Sequence, residues 1–207
     1  MKNRRKRVLV FAAGLALALS IAGCSGKKES SGAGAGAGSS GSEDGGTRQA
    51  ENEIGSLKSF EAETLDGGTF TQEDIASKDV TIINFWSLTC GPCIEEMPDI
   101  AEFAKTLPDH IQLITVCLDG GGNAENAESI LKEAGFEGTT LIAGTGDIRK
   151  LCGNIQYTPT TLVVDKDGNI IGEEIIGRRE DLADVYTEAV NLALKGMGKA
   201  EIGDGEE

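Results

Sequence analysis

The stretch "FWSLTCGPCIEEMPDI", residues 85–100, sets two cysteines two residues apart where an apolar run meets a polar segment with helical spacing. Such a pair can hold a metal, staple a fold or exchange electrons. Zinc needs four ligands, which two CxxC pairs or a CxxC with two histidines supply. This chain has no second CxxC and one histidine, His110, so no metal site is expected. A purely structural bridge between Cys90 and Cys93 would close a very short loop, which constrains the unfolded chain little. Redox chemistry remains. Cys90 follows the apolar run and would lie at the start of a helix, where free N–H groups and the helix dipole stabilise a thiolate. Cys93, one turn later, would be more buried. Cys90 is then the attacking sulfur and Cys93 the resolving one, with the Cys90–Cys93 disulfide as the redox group and no further cofactor.

Outward from this point the pattern is that of one α/β domain. "VTIINFW" (80–86) is a continuous apolar run, as expected of a strand covered on both faces, and "IQLITVCL" (111–118) is a second. Between them, residues 91–106 place Ile94, Met97, Ile100, Ala101 and Ala104 at helical spacing. Upstream, "SFEAETLDGGTFT" reads as a hairpin turning at Asp66-Gly67-Gly68. Downstream, Asn123 opens a helix to about Ala134, "TTLIA" is strand-like, "DIRKLCGNI" is a short helix, and "KDG" joins "TTLVVD" to "NIIGEEIIG" as a hairpin. Residues 180–195 form a last amphipathic helix. The expected architecture is a mixed sheet flanked by helices, with an N-terminal β-hairpin extension.

Two motifs, "NFWSLTCGPCIEEMP" and "YTPTTLVVDKDGNI", resemble the thioredoxin superfamily, in particular its membrane-anchored thiol-disulfide oxidoreductases of the TlpA/ResA type. The resemblance spans roughly 54–195 in element order and implies a thioredoxin fold and disulfide exchange. Thr158-Pro159 matches the family's cis-proline, which lies against the disulfide and docks the substrate backbone, and Pro98 matches the proline that kinks the active-site helix. Gly91 and Pro92 form the dipeptide typical of reducing members. Two positions depart from cytoplasmic thioredoxin. Asn84 replaces a buried aspartate and Thr89 replaces the tryptophan before the first cysteine. Asn84 cannot carry the proton that resolution by Cys93 requires, whereas Glu96, three residues after Cys93, matches the acid near the cysteines of ResA-like reductases. Trp86 is expected in the core beside the active site, where it helps shape it.

The N-terminus reads as an address. Lys2, Arg4, Arg5, Lys6 and Arg7 precede the apolar "VLVFAAGLALALSIAG", and "IAGC" resembles a bacterial lipobox. Residues 1–23 are then a lipoprotein signal peptide, Cys24 the lipidated residue, and 24–53 a Gly/Ser-rich tether with a reach of about 30 Å. Residues 54–197 are the thioredoxin-like domain and 198–207 an acidic tail. This places the domain on the extracytoplasmic face of the bacterial membrane, tethered through lipid. Formal net charge is −15, and loss of the first 23 residues removes five positive charges and no negative one, leaving −20. Such a surface repels phosphate backbones, so nucleic acid is not an expected partner. The expected partners are oxidised extracytoplasmic proteins as substrates and, as the resemblance implies, a transmembrane thiol carrier as electron donor.

Cys117, late in a strand, and Cys152, in a short helix, are either small core residues or a second disulfide. The leading function is a reductase of protein disulfides, such as those of apocytochrome c. A dithiol oxidase on the same fold is the nearest alternative. A peroxiredoxin-like peroxidase would need Pro-x-x-x-Thr/Ser-x-x-Cys; Ser87 fits, but position 83 is isoleucine.

Overall fold

The computed structural model describes residues 55–203. The expected signal peptide, Cys24 and the tether lie outside the described residues, as do positions 204–207. The central strand is β3 (Val80–Trp86), buried at all seven positions. It pairs in parallel with β4 (Ile111–Cys117) and antiparallel with β6 (Thr160–Asp165). β5 (Thr140–Thr145) extends the sheet beyond β4, and β7 (Ile170–Ile176) beyond β6. The order is β2-β1-β5-β4-β3-β6-β7, where β1 is Phe60–Thr64 and β2 Thr69–Thr71. This is a mixed α/β sheet with flanking helices, as the sequence pattern leads one to expect. The expected N-terminal hairpin is present, β1 pairing antiparallel with β2, and through the antiparallel β1–β5 pairing it extends the sheet to seven strands.

Side chains alternate across a strand, so β3 feeds two cores. Val80, Ile82 and Trp86 join Met97, Ile100 and Phe103 of α2 (Gly91–Thr106), Leu131 of α3 (Ala124–Ala134), and Tyr186, Val190 and Leu194 of α5 (Leu182–Gly196). Ile83 and Phe85 point the other way, toward Ile75 of α1 (Gln72–Ala76) and Ile148 and Leu151 of α4 (Gly146–Asn154). Burying each of the larger apolar side chains is worth about 1.5–3 kcal/mol, so both layers are needed to hold a sheet apolar on both faces.

Helix α1 has no counterpart in the sequence reading. It is only five residues long, but its capping box is complete: Thr71 Oγ1 accepts from Glu73 N–H, and Asp74 accepts from Thr71 N–H at 2.7 Å. The chain past α5 does not leave as a free acidic tail at once. Asn191 brackets Ile202, accepting its N–H at 2.7 Å and donating to its carbonyl at 2.9 Å.

At the other end of the domain, Leu57 N–H donates to the carbonyl of Gly168, in the β6–β7 turn, at 2.9 Å. Gly168 has φ +72°, and a side chain there would run into the Leu57 backbone, so only glycine permits this clasp. Lys58 Nζ adds bonds to the Asp167 carbonyl and the Asn169 side chain.

Candidate active site

Helix α2 begins where β3 has just ended, and Cys90 is its N-cap, with φ −86° and ψ 97°. Gly91 and Pro92 fill the first two helical positions, where a missing N–H costs nothing. Cys90 and Cys93 form a disulfide with Cα atoms 5.3 Å apart. The two sulfurs have different surroundings: Cys93 is 1% exposed, whereas Cys90 is half-buried between exposed Thr89 and Gly91. Cys93 N–H donates to Cys90 Sγ at 3.2 Å, an arrangement that stabilises an anionic sulfur once the bond opens. The loop before the helix is leashed to the end of β4, where Asp119 Oδ1 accepts Leu88 N–H at 2.9 Å.

The Thr158–Pro159 bond is cis. The Thr158 carbonyl lies 3.4 Å from Cys90 Sγ, so this loop and the accessible sulfur form one surface. Tyr157 beside it is 64% exposed and Ile94, in the first turn of α2, is 37% exposed. Pro98 stands inside α2 without ending it, on the exposed side of the helix.

Glu96 is 1% exposed. Its Oε1 accepts the backbone N–H of Arg179 at 2.7 Å. Burial pushes its carboxyl above the usual range, opposed by that N–H and by the charge of Arg178, while Asp99 adds to the rise. Arg178 itself is paired with Glu95 at 3.2 Å, and Arg179 is paired with Asp181 at 2.9 Å. Gly177 N–H donates to the Pro159 carbonyl at 2.8 Å. The segment after β7 therefore joins the cis-proline loop to the buried acid. Sequence reasoning missed this segment, and the Arg178-Arg179 pair after an apolar strand was its only trace.

Trp86 is 0% exposed behind the site, as is Asn84. Asn84 Nδ2 donates to Thr161 Oγ1 at 2.9 Å, and Thr161 shares a 2.6 Å hydrogen bond with the hydroxyl of Tyr186. Tyr186 also packs edge-on against Phe103 of α2, with ring centres 5.5 Å apart. His110 is exposed and far from this chemistry in the fold, at the start of β4.

Cys117 and Cys152 are both free, which corrects the expectation of a possible second bridge. Cys117 packs in the core on the α2 side of the sheet and Cys152 against the core on the α4 side, so the sheet separates them. Burial, reinforced by Asp119, pushes the Cys117 thiol up to about 12, and burial pushes Cys152 up to about 11. Both are poor nucleophiles.

Residues 55–172 match the AhpC/TSA family, more than half of the chain. The chain belongs to the AhpC/TSA family. It is 30% identical over 129 residues to the thiol-disulfide oxidoreductase ResA of Bacillus thuringiensis subsp. konkukian, covering 61% of this chain and 72% of that one. Over 127 residues it is 29% identical to the thiol:disulfide interchange protein HelX of Rhodobacter capsulatus, covering 61% and 68%. A crystal structure of a thioredoxin-family thiol:disulfide interchange protein from Chlorobium tepidum TLS superposes with a TM-score of 0.54 at 25% identity, covering 65% of this chain and 95% of that one. This AhpC/TSA member is a thioredoxin-like thiol-disulfide oxidoreductase of the ResA/HelX type.

Proposed function

We propose that the chain is a protein-disulfide reductase of the extracytoplasmic membrane face, lipid-anchored at Cys24, acting on oxidised envelope proteins such as apocytochrome c. The observation that carries this reading is the pairing of a half-exposed Cys90, set against the Thr158 carbonyl, with a buried Cys93 on the same helical turn as buried Glu96. In the reduced protein, Cys90 thiolate attacks a target disulfide; one target sulfur leaves as a thiolate and takes a proton from solvent. Glu96 accepts the proton of the Cys93 thiol, and the Cys93 thiolate attacks Cys90. The Cys90–Cys93 bond forms, and the second target sulfur departs and is protonated. Two electrons have passed to the target, and a dithiol donor, proposed to be a transmembrane thiol carrier, restores the pair. Thr158 and Pro159 hold the target backbone beside Cys90, and Trp86, Gly91, Pro92 and Pro98 shape the site.

The Gly-Pro dipeptide favours the reducing direction. The test is trapping with Cys93→Ala, which stops the reaction at the mixed disulfide, combined with a redox titration against glutathione. Captured envelope proteins attached through Cys90 and a potential more reducing than the glutathione pool support the proposal. A potential well above that pool makes the protein an oxidase, and no trapped species removes the exchange reaction altogether.

A further inference from the structure

The buried face beneath α2 holds two polar atoms without a partner. Among the described residues, the buried side-chain polar atoms in this condition are Asn84 Oδ1 and Trp86 Nε1. The two residues stand two apart on β3 and so project from the same face of the sheet. That is the face on which Trp86 shares a buried cluster with Cys93, Met97 and Tyr186. The Asn84 amide is fixed by its other end, since Nδ2 is committed to Thr161, which is in turn bonded to Tyr186. Its carbonyl oxygen is thus an acceptor held in place, and the indole N–H can only donate.

Unsatisfied buried groups are costly, and native proteins keep few of them. The pair here is chemically complementary, one acceptor and one donor, and the disulfide state offers little to either. A disulfide sulfur has no proton to give. A thiol has both functions: its S–H donates and its sulfur accepts. Opening the Cys90–Cys93 bond therefore creates, on the buried Cys93, the group that matches both orphans.

We infer that Asn84 and Trp86 are positioning residues for the reduced form: Asn84 Oδ1 accepts the Cys93 S–H, Trp86 Nε1–H donates to its sulfur, and together they bias the couple toward the dithiol. The step balances within ordinary exchange. A donor dithiol is oxidised to its disulfide, the Cys90–Cys93 bond breaks, and two electrons and two protons arrive, one of the protons resting on Cys93 Sγ. This tuning is independent of substrate and of the direction proposed above, because it concerns the equilibrium of the pair itself.

A redox titration of the full chain against glutathione, wild type beside Asn84→Leu, tests the inference. The variant is expected to shift about tenfold toward the disulfide, equivalent to about 30 mV for a two-electron couple. Thr161→Val frees Nδ2 while leaving Oδ1 present, so it is expected to shift the couple in the same direction as Asn84→Leu and by less. Gly168→Ala, remote from the disulfide, is the structural control and stays within about twofold of wild type. The second readout is the infrared S–H stretch of Cys93, isolated as the difference between Cys90→Ser and Cys90→Ser/Cys93→Ser. It is expected at the frequency of a hydrogen-bonded thiol, and Asn84→Leu moves it to that of a free one. An Asn84→Leu couple within twofold of wild type, as when a buried water serves both atoms in both states, overturns the inference. A shift toward the dithiol does the same. If Asn84→Leu does not fold, the band decides: a hydrogen-bonded frequency that persists in Cys90→Ser/Glu96→Ala supports the inference, and a free-thiol frequency in Cys90→Ser or in that double variant overturns it.

Discussion

The backbone N–H of Arg179 donates to Glu96 Oε1 at 2.7 Å across 83 positions of sequence. It is the direct polar contact that reaches this buried carboxylate, and it does not offset the cost of burial, which leaves the acid above its ordinary value of 4.5. The folded protein therefore holds a proton on Glu96 over a pH range where the unfolded chain has released it. Stability must fall as pH rises from about 4.5 through the folded value, and stay reduced above it. Glu96→Gln should abolish that decline and be more stable than wild type at pH 7, measured as urea midpoints from pH 4 to 8. The same variant should slow resolution of the mixed disulfide by about 10²-fold, the scale of a lost general base. A variant that is more stable and equally fast would remove Glu96 from the proton step.

The two spare thiols should be silent in the native state. With Cys117 at about 12 and Cys152 at about 11, almost no thiolate is present at pH 8. Alkylation of the oxidised native protein followed by peptide mapping should leave Cys117 unmodified and Cys152 labelled slowly. Unfolding in urea should label both without reductant. Failure to label them without reductant would mean a 117–152 bridge after all.

Much of this was open to a reading of residues, and what was not has identifiable causes. "VTIINFW" shows itself as a central strand because both its faces are covered, which leaves no polar alternation. The CGPC segment shows itself because the sequence offers no second CxxC or histidine pair to complete a zinc site, and a loop that short makes a poor staple. Helix α1 escaped notice because five residues with one buried side chain, Ile75, carry no periodicity, although the Thr71/Asp74 cap was there to be read. Cys117 and Cys152 could not be separated, because which face of a sheet a residue meets depends on the register of strands distant in sequence. Tyr186 and Arg179 were invisible as site residues for the same reason: their partners, Thr161 and Glu96, lie on other elements.

Tyr186→Phe isolates one of those contacts. The ring packing against Phe103 survives the change, while Thr161 loses its hydroxyl partner in a fully buried setting. The expected loss is about 1–2 kcal/mol, read from chemical denaturation with an unchanged m-value. A neutral effect would show that the Asn84–Thr161 bond alone satisfies the site.

Gly168→Ala addresses the opposite end of the sheet. Its φ of +72° disfavours any side chain, and the added carbon would press on the Leu57 carbonyl. A loss of about 2 kcal/mol or more is expected, with faster hydrogen exchange at the Leu57 amide. The glutathione equilibrium should not change, because the disulfide is remote from the clasp.

That clasp gives the domain a polarity. β6 runs antiparallel to β3 and sets Asp165 opposite Val80, so the turn that grips Leu57 is at the start of β3, while Cys90 follows its end. At about 3.3 Å per residue the two poles are about 20 Å apart. Any traction transmitted through the polypeptide upstream of residue 55 is taken up by the Leu57 clasp and the sheet behind it. The reactive sulfur is left at the opposite pole of the sheet, clear of the clasp.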